Sequence, residues 1–216
     1  MKTDLMLQRD VMAELQWEPA INSAQIGVEV KKGVVILAGH VDTYAEKYRA
    51  EKAAQRVDGV KALITEIEVT LPDIHKRSDM DIAAAINNMM DWATFNGKDK
   101  IKVMVENGWV TLSGAVEWEF QHKAALQMIR YITGIRGIHD HIIIHPKISV
   151  SAVRSDIEAA MKRQAIKDVS QVHVDLNESD IVLTGKVHSL AERALVERTA
   201  WDTPGVRSVI DHLEVV

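Results

Sequence analysis

One short pattern, a tight turn followed by a strand that ends near a glycine, occurs three times in this chain. It reads GVVILAGHV at 33–41, GWVTLSGAV at 108–116 and SDIVLTGKV at 179–187. The second copy starts 75 positions after the first, and the third starts 71 positions after the second. The same offsets align residues far outside the pattern, so whatever the chain folds into must be repeated three times.

The aligned segments define three units, which we place at 4–70, 79–145 and 150–216. A unit of about 67 residues can just bury a core of its own, so we predict three small domains rather than the turns of a solenoid. The apolar fraction of 47% and the charged fraction of 26% are typical of a soluble globular protein.

Charge and cysteine content exclude several classes of function. The net charge of −5 is spread evenly over the three units, and the absence of a basic face argues against nucleic-acid binding. The chain has no cysteine, which excludes disulfides, thiolate metal sites and cysteine nucleophiles. The first residues lack the apolar run of a signal peptide, so we expect a cytoplasmic protein, or a periplasmic one if a signal peptide has been removed.

The residue pattern of each unit predicts the element order α-β-β-α-β. In the first unit Leu7, Val11 and Leu15 recur on one face of a helix, and Asp4 is its expected N-cap. A strand of alternating polar and apolar residues follows, and a tight turn joins it to the repeated strand. An alanine-rich helix and a third strand complete the unit.

We therefore predict an α+β fold of three tandem domains, each with a three-stranded sheet covered by two helices. The third strand returns through a helix, so it should run parallel to the second strand. A right-handed crossover that skips one position gives the sheet order 2-1-3. Eight glycines recur at positions expected for turns and helix ends: Gly33, Gly39, Gly59, Gly108, Gly114, Gly134, Gly185 and Gly205.

The repeated residues resemble the signature of the BON domain. The signature is a strand that ends in glycine and valine, then a helix, then glycine, an apolar residue and a strand. It reads VILAGHV at 35–41 with DGV at 58–60, VTLSGAV at 110–116 with TGI at 133–135, and IVLTGKV at 181–187 with PGV at 204–206.

The resemblance implies a non-enzymatic module. BON domains occur in osmotic-shock-inducible periplasmic proteins, lipoproteins, secretin-associated proteins and a potassium-binding cytosolic protein. Phospholipid binding is the activity usually suggested for them. The signature itself contains no catalytic group.

The aromatic residues are the candidate contact sites. Trp17 and Trp92 occupy equivalent positions at the end of the first helix of their units, where a tryptophan can insert among lipid headgroups or bind a partner protein. Trp118 and Phe120 flank the start of the second helix of the second unit. The alternative for all four is packing against the protein itself.

Three histidines alternate along the third strand of the second unit. His139, His141 and His145 share one face of that strand and form a weak metal-site candidate. A solvated strand face is the alternative. No catalytic motif and no glycine-rich phosphate loop is present, so we predict no enzymatic activity and no cofactor. Potassium bound by backbone carbonyls would leave no side-chain signature.

These observations favour a non-enzymatic binding or scaffolding protein of the bacterial stress response. The expected partner is an anionic phospholipid surface or another protein, bound through aromatic helix ends and open sheet edges. A potassium sensor is one alternative. A structural protein that self-assembles through its sheet edges is another.

Overall fold

A computed structural model describes residues 2–92, 101–145, 172–177, 180–203 and 206–216. The first unit contains α1 (Asp4–Trp17), β1 (Ile26–Lys31), β2 (Val34–Val41), α2 (Tyr44–Arg56) and β3 (Ala62–Val69). The second contains α3 (Asp79–Trp92), β4 (Lys102–Glu106), β5 (Trp109–Val116), α4 (Glu119–Ile129) and β6 (Gly137–Ile144). The third contains β7 (Val172–Asn177), β8 (Asp180–Val187), α5 (Leu190–Trp201) and β9 (Ser208–Val215).

The predicted α+β fold and the order α-β-β-α-β are confirmed in the first two units. The predicted first helix of the third unit lies outside the described residues. Short 3-10 turns precede β1 at Ser23–Gln25 and α3 at Asp73–His75. Within the described ranges, no helix combines the length and the apolar character needed to cross a bilayer.

The predicted strand order 2-1-3 is wrong. In each sheet the second strand is central, antiparallel to the first and parallel to the third, so the order is 1-2-3. The helix crossover therefore places the third strand directly beside the second, without skipping a position. Burial gives the physical reason, because Val35, Leu37 and Val41 of β2 are all buried, whereas β1 buries only Ile26.

The core of each described unit lies between the helices and one face of the sheet. In the first unit, Leu7, Val11 and Leu15 of α1 pack with Val35 and Leu37 of β2, as the apolar spacing predicted. The second unit repeats this arrangement with Ile82 and Ile86 of α3. The opposite face of each sheet carries the exposed residues.

Seven of the eight glycines have positive φ angles, as expected for turns and helix ends: Gly33, Gly39, Gly59, Gly108, Gly114, Gly134 and Gly185. Gly205 lies outside the described residues. The β1–β2 turn needs left-handed backbone at both central residues, Lys32 (φ 52°) and Gly33 (φ 79°), which is the geometry of a type I′ hairpin.

Candidate docking surface

The outward face of α1 carries an unusual amount of exposed apolar surface. Leu5, Met6, Met12 and Trp17 point away from the core, and 85% of the surface of Trp17 is exposed. At 100° per residue they fall within an arc of about 140° on the side of the helix opposite the core. The helix is therefore apolar on two faces, one buried in the domain and one uncovered within the described part of the chain.

Charge is distributed unevenly around this helix. Arg9 is the only charged residue within the apolar arc, and it has no carboxylate partner among the described residues. The acidic residues lie outside the arc and are engaged: Asp10 pairs with Lys2 at 2.9 Å, and Glu14 pairs with Arg56 at 2.9 Å. Within the described residues, the exposed face of α1 is thus mainly apolar, with Gln16 as a polar member and Arg9 as an unpaired cation. We call Leu5, Met6, Arg9, Met12 and Trp17 the α1 face.

Asp4 holds the N-terminal end of α1 against the hairpin. Its two carboxylate oxygens accept hydrogen bonds from the backbone N–H groups of Lys32 (2.8 Å) and Gly33 (3.0 Å). The prediction that Asp4 is the N-cap is wrong, because the side chain of Thr3 takes that position by accepting from Met6 N at 3.3 Å. Asp4 begins the helix and its carboxylate closes the turn.

The second unit repeats this contact. Asp79 accepts from the backbone N–H groups of Asn107 and Gly108, at 2.8 Å in each case. Sequence reasoning missed the role of both aspartates. The available signal was that Asp4 aligns with Asp79 and that the turns they bind are also equivalent in the repeat.

A recess of about 460 Å³ lies at the same end of α1. Its charged lining consists of three lysines and two aspartates: Lys2, Lys32, Lys61, Asp4 and Asp58. Lys2 is paired, and its hydrogen bond with Asp10 raises its pKa above the ordinary value of 10.5, with a smaller contribution from Asp58. Lys32 and Lys61 have no acidic side-chain partner among the described residues, so the recess holds two unpaired lysines beside its two aspartates.

Of the other three aromatic residues predicted as contact sites, the structure describes the side chains of two, and these differ in exposure. Phe120, the second residue of α4, is 68% exposed, whereas Trp118 before it is half-buried. The backbone N–H of Trp118 donates to the side-chain oxygen of Gln121 at 3.0 Å, which fixes the start of the helix. Trp92 ends α3, but its side chain lies outside the described residues.

The three histidines of the second unit do not form a metal centre. His139, His141 and His145 are all exposed, and the ring of His139 stacks on Trp109 with centroids 5.0 Å apart and planes 19° apart. Across the ranges that the structure describes, no three histidine, aspartate or glutamate side chains converge as metal ligands. The solvated strand face is the arrangement observed.

A half-buried histidine on α4 was not singled out in the sequence. One ring nitrogen of His122 lies 3.0 Å from Glu119 Oε2 and the other lies 2.6 Å from Asp140 Oδ2. Because carboxylates occupy both nitrogens, this ring has no free nitrogen to act as a general base. The cluster is a structural contact between α4 and β6.

Comparison with known proteins agrees with the repeated fold. The BON domain profile matches residues 3–70, 78–146 and 149–216. The chain belongs to the BON domain family. No curated protein matches this chain at a significant level.

Three solved structures align with this chain over most of its length. CdsD, a structural protein of the type III secretion system of Chlamydia trachomatis, aligns over 97% of this chain and 92% of its own, with 17% identity and a TM-score of 0.24. The CdsD C-terminal domain aligns over 100% and 99%, with 17% identity and a TM-score of 0.25. The PrgH periplasmic domain aligns over 95% and 99%, with 9% identity and a TM-score of 0.24. Similarities of this size carry no argument about function.

The BON domains contact one another through their second helices. Tyr44 of α2 and Trp201 of α5 both pack against the core of the second domain, and Leu190 of α5 packs against the core of the first. The guanidinium of Arg130, at the end of α4, lies 3.4 Å from the ring centroid of Tyr48 in α2. Leu5, Met6, Met12 and Trp17 are not among the residues that make these contacts, and they stay exposed within the described part of the chain.

Proposed function

We propose that this protein is a non-catalytic adaptor that binds anionic phospholipid surfaces through the α1 face of its first BON domain. The observation that carries this proposal is the exposure of Leu5, Met6, Met12 and Trp17 along one helix already anchored by a separate buried face. A helix of this kind can lie in the plane of a bilayer interface and insert its apolar side chains among the acyl chains.

The distribution of charge supports an anionic surface. Arg9 lies inside the α1 face, and Lys32 and Lys61, which have no acidic side-chain partner among the described residues, line the recess at its N-terminal end beside Asp4 and Asp58. Trp17 is about 18 Å from Leu5 along the helix, so an apolar ring and a cationic end would contact the interface together. Because the whole chain has a net charge of −5, binding depends on this local arrangement and should weaken as salt increases.

Vesicle flotation tests the proposal. We expect the protein to float with vesicles that contain anionic phospholipid, and Trp17→Ala combined with Met6→Ser to abolish flotation. Ile74→Ser is a matched control, because Ile74 is 75% exposed but lies outside the α1 face. If the protein does not float, or if the control loses binding to the same extent, the α1 face is not a lipid-binding surface.

A protein partner is the second candidate for the same surface. Two of its members are methionines, whose flexible side chains adapt to irregular partner surfaces. A protein that does not float, but whose stable binding partner is lost with Trp17→Ala, would support this candidate. The potassium sensor, the self-assembling protein and the cytoplasmic location stay predictions, and sedimentation in potassium and in sodium tests the first two.

A further inference from the structure

One position on the second helix of every BON domain carries a basic residue that contacts the third strand. The aligned residues are Lys47, His122 and Arg193. Lys47 Nζ donates to the backbone carbonyl of Ile67 in β3 at 2.8 Å. Arg193 Nε donates to Asp211 Oδ2 in β9 at 2.7 Å. The second domain has a histidine where the other two have a lysine and an arginine, and histidine is the side chain whose charge ordinarily changes near neutral pH.

The strand that these cations contact is an edge of its sheet. In the second domain Asp140 Oδ1 accepts from the backbone N–H of Ile142 at 3.1 Å, and in the third Asp211 Oδ1 accepts from Leu213 N at 2.8 Å. These N–H groups point away from the central strand, toward the side where a further strand could pair. Each aspartate therefore binds a backbone N–H that a further strand could otherwise use, and the basic residue of the helix holds the aspartate in place.

The contacts of His122 require a protonated ring. Nδ1 lies 3.0 Å from Glu119 Oε2, and Nε2 lies 2.6 Å from Asp140 Oδ2. Both contacts are hydrogen bonds only when both nitrogens carry a hydrogen, which is the case for imidazolium alone. A neutral ring leaves a lone pair facing one carboxylate and forms a weaker, uncharged bond to the other.

The surrounding charges favour the protonated state. The hydrogen bond with Glu119, whose other oxygen lies 3.2 Å from Lys123 Nζ, is the main cause that raises the pKa of His122 above 6.5. Asp140 acts in the same direction, and partial burial opposes both.

The ring also borders a cavity of about 500 Å³ between the second and third domains, which Glu197, Arg207 and His145 line as well. Arg207 is bonded to Asp180 at 2.6 Å, so its charge is compensated locally.

We infer that protonation of His122 controls access to the outer edge of β6, the edge that does not pair with β5. When the ring is protonated, it holds Asp140 in its hydrogen bond with the Ile142 N–H. When the ring is neutral, its bond to Asp140 weakens and this N–H becomes available for pairing. The equivalent edges of the first and third domains keep Lys47 and Arg193 and do not respond.

Hydrogen exchange of two equivalent amides tests this inference in the intact protein. We expect the protection factor of the Ile142 amide, corrected for intrinsic exchange, to fall about tenfold between pH 6 and pH 8.5. The Leu213 amide, held by Asp211 and Arg193, should keep its protection over the same range. Equal behaviour of the two amides would overturn the inference.

Substitution of the histidine gives a second test. His122→Arg reproduces the arrangement of the third domain and should make protection of the Ile142 amide independent of pH. His122→Gln cannot carry a charge and should show low protection at both pH values. A pH-dependent loss of protection that persists in His122→Arg would show that another group is responsible.

Discussion

Asp4 Oδ1 accepts a hydrogen bond from the backbone N–H of Gly33 at 3.0 Å, across 29 positions of the chain. The other carboxylate oxygen accepts from the neighbouring Lys32 N–H at 2.8 Å. One side chain thus joins the start of α1 to the tip of the first hairpin. Because Asp79 makes the same pair of bonds in the second BON domain, the contact belongs to the repeated unit.

Removal of this carboxylate should destabilise the first domain. We expect Asp4→Ala to lower the free energy of unfolding by about 2 kcal/mol, because two backbone donors lose a charged acceptor. Asp4→Asn keeps one acceptor and should lose about half as much. Chemical denaturation measures both, with Asp10→Ala as the control, since its exposed pair with Lys2 should contribute less than about 0.5 kcal/mol.

Two glycines in adjacent strands should respond very differently to alanine. Gly39 has φ 134°, and a Cβ there would collide with the backbone carbonyl of Gln25, so Gly39→Ala should cost at least about 3 kcal/mol. At Gly27 the nearest atom to a new Cβ is Ala38 O at 3.6 Å, an ordinary contact. Gly27→Ala should change the free energy of unfolding by less than about 0.5 kcal/mol. Similar losses in thermal denaturation for the two variants would contradict this prediction.

The stacked pair of Tyr48 and Arg130 should couple the first and second domains. The guanidinium lies over the ring, and Arg130 Nε has no hydrogen-bond partner in the described part of the chain, so the contact is desolvated. A double-mutant cycle with Tyr48→Leu and Arg130→Met should give a coupling energy of about 1 kcal/mol. Arg49 and Tyr131, at 5.6 Å, form the comparison pair and should couple more weakly.

The stability of the second domain should fall as pH rises above neutrality. The pKa of His122 is raised in the folded protein, so its contribution is complete below the ordinary value of 6.5 and is lost as pH rises through the folded pKa. Urea denaturation at pH 6 and pH 8.5 should show this loss in the native sequence. In His122→Arg the loss should be smaller, and an equal loss in the two proteins would assign the pH dependence to other groups.

Much of the local structure follows from short-range patterns. Thr43, a residue type favoured at N-caps, is the N-cap of α2, because its hydroxyl accepts from Glu46 N at 3.1 Å. The bounds of β2 also match the repeated pattern, since its apolar residues at alternate positions must all be buried on one face. By contrast, Thr3 and Asp4 are adjacent and both suit an N-cap, so the sequence does not show which one caps α1.

The repeat by itself determined that the protein is three BON domains, because residues that build a core recur at constant offsets whatever the domains bind. Only the tertiary structure decided that the second strand is central, since the sequence of an apolar strand does not specify which strands it pairs with. It also separated the apolar residues of α1 into a buried face and the exposed face with Leu5, Met12 and Trp17. The contact of His122 with Asp140 depends on the distance between a helix and a strand 18 positions apart, which no local pattern encodes.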